Sequence, residues 1–174
     1  VVPTNEATYY QFDGAGRVTK VEAPVGIAGL NENKYLVTNI AYDDVLRKVT
    51  TSYSSSGSGV IAPNIADTVQ EFDGIGRPIS VSQGGLSVSN TYFDNSSWSG
   101  MGTLVRTTDE RGQIWWQKYG PTGLLTRTQT PDPDGTGPLA LLDTQNVYDS
   151  RGNINTVTES SGALSRTTSY VFDF

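Results

Sequence analysis

An acidic stretch between residues 132 and 143 carries the side chains best suited to hold a metal ion. Oxygen-bearing residues occupy positions 1, 3, 5 and 12 of this window, namely Asp132, Asp134, Thr136 and Asp143, and Gly137 occupies position 6. Such spacing is typical of a calcium-binding loop. Aspartate replaces the usual glutamate at position 12 and two prolines interrupt the window. We therefore favour a polar linker, expect no cofactor, and keep Ca²⁺ as the one candidate ligand.

Catalytic chemistry is restricted by the residue types that the sequence lacks. The chain contains no histidine and no cysteine, which excludes thiolate nucleophiles, serine-histidine pairs and histidine-ligated metals. Acidic residues are spread along the chain, and no Asp-Thr-Gly stretch marks an aspartic protease. The sequence therefore predicts a protein that is not an enzyme.

Charge and hydropathy restrict the partners. The net charge is −6, from 12 basic and 18 acidic residues, with no cluster of lysine and arginine that could bind nucleic acid. No apolar run is long enough for a membrane-spanning helix, so we expect no transmembrane segment. Large aliphatic residues are also sparse, which predicts a thin and partly polar core.

Aromatic residues suggest a sugar-binding platform, because aromatic faces stack on pyranose rings. Trp115 and Trp116 are adjacent, with Trp98 and Tyr119 elsewhere in the sequence. Neighbouring residues of a strand point to opposite faces of a sheet, so Trp115 and Trp116 cannot form one flat platform. Packing roles in the sheet are the preferred interpretation.

An internal repeat is the strongest signal in the sequence. The segment from Phe12 to Val18 recurs from Phe72 to Pro78, and a more divergent copy runs from Tyr42 to Lys48. Their aspartates fall thirty residues apart twice in succession, and looser copies follow. The predicted turn residues are Asp13, Gly16 and Arg17; Asp43 and Arg47; Asp73, Gly76 and Arg77; Asp109 and Gly112; and Asp149 and Gly152.

The repeated residues have a structural explanation. An aromatic residue ends a strand, the aspartate accepts backbone N–H groups, and the glycine three residues later takes a positive φ. The arginines are expected to pack their aliphatic stems across a neighbouring strand. No segment has a convincing helical period. The sequence predicts an all-β fold over residues 1–174, in which consecutive antiparallel β-hairpin repeats form a curved or spiralling sheet, as in part of a barrel or shell.

The repeat resembles the YD repeat of the RHS family, which includes bacterial polymorphic toxins, the cocoons of insecticidal toxin complexes and the teneurins of animals. The resemblance rests on Phe12 to Arg17, Phe72 to Arg77 and Tyr148 to Gly152, with weaker copies over most of the chain. Phenylalanine replaces tyrosine twice, the copy at Tyr42 lacks its glycine, and arginine has moved to Arg111 and Arg151 in two copies.

This resemblance implies a structural wall segment of a secreted or cell-surface bacterial protein, which encloses a toxin or builds a shell or fibre. The expected partners are neighbouring repeats of a longer chain, identical subunits in a filament, or an enclosed toxin domain. A cell-surface adhesin or carbohydrate-binding module made of the same hairpins is the alternative that the sequence leaves open.

Overall fold

A computed structural model describes residues 7–24, 35–56, 64–94, 102–135 and 139–172. Within these ranges every regular element is a β-strand. The strands are β1 (Tyr9–Phe12), β2 (Val18–Pro24), β3 (Tyr35–Asp43), β4 (Lys48–Ser56), β5 (Thr68–Phe72), β6 (Pro78–Gln83), β7 (Leu86–Asp94), β8 (Thr103–Thr108), β9 (Ile114–Tyr119), β10 (Leu125–Gln129), β11 (Asp143–Tyr148), β12 (Ile154–Ser161) and β13 (Leu164–Ser169).

The chain divides into two compact units, residues 1–87 and 88–174. In the first unit each of the strands β1 to β5 pairs antiparallel with the strand that follows it in sequence. The longest ladder joins β3 to β4, from the pair Tyr35 and Ser56 to the pair Asp43 and Lys48. β-Branched and aromatic residues dominate these strands, as suits a pleated and half-buried surface.

The second unit repeats this arrangement from β7 to β13, again with antiparallel pairing between consecutive strands. Trp115 and Trp116 are consecutive residues of β9 and therefore point to opposite faces. The Trp115 side chain is 40% exposed, whereas Trp116 is half-buried and lies 6.0 Å from Phe93, ring centroid to ring centroid. The two indoles do not form one platform.

The core is thin. Among the described residues, the buried apolar side chains are Val37, Leu104 and Val105, and the charged residues Lys118 and Asp143 are also buried. Most strand residues are half-buried. Backbone ladders between hairpins therefore contribute much of the cohesion, as expected where a sheet lacks a large hydrophobic layer.

The prediction of an all-β chain built from consecutive antiparallel hairpins is confirmed. In the part of the chain that the structure describes, there is no helix long and apolar enough to cross a membrane.

Candidate functional site

The turn at Asp13 shows the geometry that the repeat encodes. The Asp13 N–H donates to the carbonyl of Arg17 at 2.9 Å, and the Gly16 N–H donates to the carbonyl of Asp13 at 3.0 Å. Oδ1 of Asp13 also accepts from the backbone N–H groups of Ala15 and Arg17, both at 2.9 Å. Gly16 has a φ of 79°. These bonds define a three-residue hairpin loop closed by a left-handed glycine, a common connection that is usually built on a type I turn.

Three other aspartate turns have the same arrangement. The aspartate N–H donates to the carbonyl four residues on at 2.9 to 3.0 Å, and the glycine N–H donates back at 3.0 to 3.2 Å. In each turn Oδ1 accepts from the second and fourth following N–H groups. The structure thus places these residues in turns: Asp73, Gly76 and Arg77; Asp109 and Gly112; Asp149 and Gly152.

The turn after Tyr42 is built differently because it lacks the glycine. Asp43 pairs with Lys48 across a four-residue loop, and Oδ1 of Asp43 accepts from the Leu46 N–H at 2.9 Å. Arg47 takes the positive φ, 51°, which is unfavourable for a residue with a Cβ. Asp43 and Arg47 are therefore turn residues, but arginine occupies the backbone conformation that glycine has in the other copies.

Arg17 connects two successive hairpins. Its Nε donates to Oδ2 of Asp13 at 2.7 Å, and its terminal nitrogens donate to the two oxygens of Asp44 at 2.6 and 3.2 Å. The guanidinium also lies over the ring of Tyr42, 4.2 Å from the centroid. Arg77 repeats the bond within its own turn, from Nε to Oδ2 of Asp73 at 2.7 Å. We expected the aliphatic stems to pack across a neighbouring strand; the charged heads in addition make specific bonds.

These bonds lower the pKa values of the carboxyl groups. The pKa of Asp13 is lowered, first by the backbone N–H of Arg17 and then by its side chain. The pKa of Asp44 is lowered by the hydrogen bond from Arg17. Hydrogen bonds to the charged form favour ionisation, so both carboxylates are stabilised as anions beside a permanent cation.

Tyrosine hydroxyls provide a second contact between hairpins. The hydroxyl of Tyr42 donates to the carbonyl of Val18 at 3.1 Å, and that of Tyr148 donates to the carbonyl of Leu125 at 2.7 Å. Each acceptor is the first residue of the strand that follows the preceding turn. The tyrosine before the turn aspartate thus binds equivalent backbone atoms in two places.

One turn of this class has no aspartate and was not predicted from the sequence. The Gly120 N–H donates to the carbonyl of Leu124 at 2.8 Å, and the Gly123 N–H donates to the carbonyl of Gly120 at 2.9 Å. Gly123 has a φ of 78°. Glycine replaces aspartate here, and Pro121 fixes φ at the next position. The remaining signal in the sequence is Tyr119, directly before Gly120, with Gly123 three residues after it.

A bulge accompanies the aromatic residue at the turns that contain a glycine, whereas the turn after Tyr42 has the aromatic residue but no register shift. The pairing register shifts by one residue at four turns, where the residue before the turn is Phe12, Phe72, Tyr119 or Tyr148. At the Asp109 turn the preceding residue is Thr108, and the register between β8 and β9 continues without a shift. A bulge inserts one extra residue and increases local twist, so these four copies bend the strand beside the turn.

One carboxylate of the acidic window, that of Asp143, forms an ion pair with an arginine outside it. Nε of Arg127 donates to both oxygens of Asp143, at 2.8 and 3.1 Å, and a terminal nitrogen of Arg127 adds a third bond. The bond from Arg127 lowers the pKa of Asp143. Oδ1 of Asp132 accepts from the Asp134 N–H, and Oδ2 of Asp134 accepts from the Leu139 N–H. Asp143 is thus already neutralised by a cation.

Two residues of the calcium window, Thr136 and Gly137, lie outside the described residues, as does Trp98. No group of three acidic side chains that could hold a metal ion occurs among residues 7–24, 35–56, 64–94, 102–135 and 139–172. The calcium site stays a prediction, and it would need a ligand set other than the paired Asp143.

The turn residues and ion pairs attach strands to one another. Their carboxylates, guanidinium groups and hydroxyls bind backbone groups and neighbouring hairpins. No protein-family model matches the chain, and no curated protein shows a significant match to it.

Proposed function

We propose that this chain is a structural wall segment, made of hairpins that extend into a shell or fibre of the RHS type. It acts without catalysis, in a secreted or cell-surface protein of bacterial origin. Its partners are further hairpins, supplied by a longer chain or by identical copies, and an enclosed toxic domain is the cargo that the resemblance implies.

The observation that carries the proposal is the use of motif side chains to join hairpins. Arg17 of one turn binds Asp44 of the next, and Tyr42 binds the backbone at Val18. In the second unit Tyr148 binds the backbone at Leu125. Residues that recur in the sequence are therefore used for attachment between hairpins, which is the requirement of a wall built by repetition.

The edge strands give further support. Tyr9, Tyr10 and Phe12 of β1 are exposed, and every residue of β13 is exposed. Among the described residues each of these strands has a single strand partner. An open edge with unpaired backbone groups is a template for another strand, so both edges can accept further hairpins.

Association at the edges tests the proposal. Sedimentation velocity at increasing concentration should show wild-type association, and lysine at Gln11 on β1 together with lysine at Thr168 on β13 should reduce it, because edge charges oppose strand pairing. Lysine at Thr122, in the turn before β10, is the matched control and should leave association unchanged.

A glycan-binding screen run on the same samples tests the alternative. A monomer at every concentration that binds a sugar saturably, and loses this binding in Trp115→Ala, would overturn the proposal in favour of an adhesin. Association that the two edge lysines leave unchanged would also count against it.

A further inference from the structure

Three Asp-Gly bonds occur in the sequence, and the structure places them in two kinds of environment. Asp13-Gly14 and Asp73-Gly74 belong to aspartate turns, whereas Asp134-Gly135 lies between β10 and β11. Asp-Gly bonds are chemically special because glycine has no Cβ, so its backbone nitrogen can approach the aspartate side chain.

The reaction that this permits is a rearrangement of the main chain. The glycine nitrogen attacks Cγ of the aspartate, a C–N bond forms, a C–O bond breaks, and the amide proton leaves with the carboxyl oxygen as water. The resulting succinimide is hydrolysed at either carbonyl, which returns the water. Opening at the main-chain carbonyl gives isoaspartate, with the same mass and one extra carbon in the backbone path.

The two turn aspartates are held against this reaction. Oδ1 of Asp73 accepts from the N–H groups of Ile75 and Arg77 at 3.0 and 2.9 Å, and Oδ2 accepts from Nε of Arg77 at 2.7 Å. Asp13 has the equivalent three bonds at 2.9, 2.9 and 2.7 Å. Attack requires the carboxyl group to rotate away from these donors and to lose an oxygen that they stabilise as an anion.

Asp134 is exposed and less restrained. In the described part of the chain one hydrogen bond reaches its carboxylate, from the Leu139 N–H to Oδ2 at 3.1 Å. Gly135 has a φ of 70°, and the space where a Cβ would lie is empty within 4 Å. Gly14 and Gly74 are equally open, so what distinguishes Asp134 is the smaller number of hydrogen bonds on its carboxylate.

The loop between β10 and β11 is closed at its base by hydrogen bonds that do not involve Asp134. The Thr130 N–H donates to the carbonyl of Leu142 at 3.0 Å, and the Leu142 N–H donates to Oγ1 of Thr130 at 3.0 Å. A change of backbone path at Asp134 is confined by this closure. The modified chain can therefore stay folded and accumulate.

We propose that Asp134-Gly135 is the site of spontaneous isoaspartate formation in the folded protein, and that Asp13-Gly14 and Asp73-Gly74 resist it because their turns hold both carboxylate oxygens. This inference is independent of the proposed function, since it depends only on local geometry.

The test is ageing of the folded chain near neutral pH, followed by peptide mapping that separates aspartate from isoaspartate, and by an isoaspartyl methyltransferase assay as a second readout. Isoaspartate should form at Asp134 about ten-fold or more faster than at Asp13 or Asp73, since each restraining bond to a charged group slows rotation. Asp134→Glu should remove most of the signal, because the longer side chain would have to close a less favourable six-membered ring.

Two comparisons separate geometry from sequence. In concentrated guanidinium chloride the three bonds should react at similar rates, because the turn hydrogen bonds are lost. In the folded chain Arg77→Ala should accelerate the reaction at Asp73 and leave that at Asp13 unchanged. Equal rates at the three bonds in the folded protein, or a slower reaction at Asp134 than at Asp73, would overturn the proposal.

Discussion

The ion pair between Arg127 and Asp143 offers a quantitative test of how a thin sheet tolerates buried charge. Arg127 lies on β10 and Asp143 on β11, and their side chains are 22% and 12% exposed. Arg127 donates to both carboxylate oxygens. The perturbation is replacement of each partner by alanine, singly and together.

The expected cost lies between two limits. Breaking a fully buried pair costs about 3 to 5 kcal/mol, because an uncompensated charge remains, whereas exposed pairs contribute about 1 kcal/mol or less. The residual exposure of both side chains discounts the first limit. We expect Asp143→Ala to lower the free energy of unfolding by about 2 kcal/mol, with a coupling energy of about 1 to 2 kcal/mol in the double-mutant cycle.

The pair should also make stability depend on pH. Because Arg127 lowers the pKa of Asp143 in the folded chain, the stabilisation is fully present above the ordinary aspartate pKa of about 3.9. It is lost as the pH falls through the lower folded pKa. The stability difference between wild type and Asp143→Asn should therefore shrink below about pH 4.

Urea unfolding at neutral and acidic pH gives these free energies. The matched control is the pair Arg166 and Glu159, whose side chains are 77% and 35% exposed at 2.6 Å separation, and whose coupling should be about 0.5 kcal/mol or less. A coupling at Arg127 and Asp143 no larger than this control would refute the reasoning. So would a wild-type advantage over Asp143→Asn that persists unchanged at acidic pH.

Three further substitutions test the turns and their contacts by urea unfolding. Tyr148→Phe removes the hydroxyl bond to Leu125 and should cost about 1 kcal/mol. Gly102→Ala should cost about 3 kcal/mol or more, because its Cβ would lie 2.0 Å from the backbone oxygen of Tyr119. Arg47→Gly should stabilise the chain by about 0.5 kcal/mol, because relief of the Cβ strain at a φ of 51° outweighs loss of the long bond from Nε of Arg47 to the carbonyl of Phe72 at 3.3 Å.

Each of these substitutions has a control elsewhere in the chain. Tyr10→Phe alters an exposed hydroxyl and should change the free energy of unfolding little. Gly74→Ala adds a Cβ with nothing within 4 Å and should be tolerated far better than Gly102→Ala. Arg111→Gly removes an arginine from another exposed turn, so a gain equal to that of Arg47→Gly would show that relief of backbone strain is not the cause. A cost of Tyr148→Phe no larger than that of Tyr10→Phe would show that the hydroxyl contact does not stabilise the chain.

Local chemistry explains why much of the fold follows from the sequence. Asp13 and Gly16 close their turn through bonds within five residues, so residue type and spacing are sufficient to indicate it. The contact from Arg17 to Asp44 spans 27 residues and depends on the register between β2 and β3. The sequence alone therefore does not indicate that Arg17 pairs with Asp44.

In the acidic window, local spacing alone is insufficient to assign a role to each carboxylate. Asp132, Asp134 and Asp143 fit a ligand spacing, but spacing does not reveal which carboxylate is already paired. Arg127 lies 16 residues before Asp143 and reaches it only because β10 and β11 are adjacent. An arginine on the neighbouring strand thus pairs with a carboxylate that local spacing alone would assign to a metal ion.

The order of the antiparallel strands explains why the turns are less regularly spaced in the second half of the chain. Asp13, Asp43 and Asp73 are each separated by two strands, so their turns lie at one end of the first unit. In the second unit β10 and β11 separate Gly120 from Asp149, which puts those two turns at a common end, whereas β9 alone separates Asp109 from Gly120. The Asp109 turn therefore lies at the opposite end of its unit. It lacks both the aromatic residue and the bulge, while the turns at Gly120 and Asp149 have both. An aspartate and a glycine thus suffice for a turn at either end, but a preceding aromatic residue marks the end where Tyr42 and Tyr148 bind the backbone of the preceding hairpin.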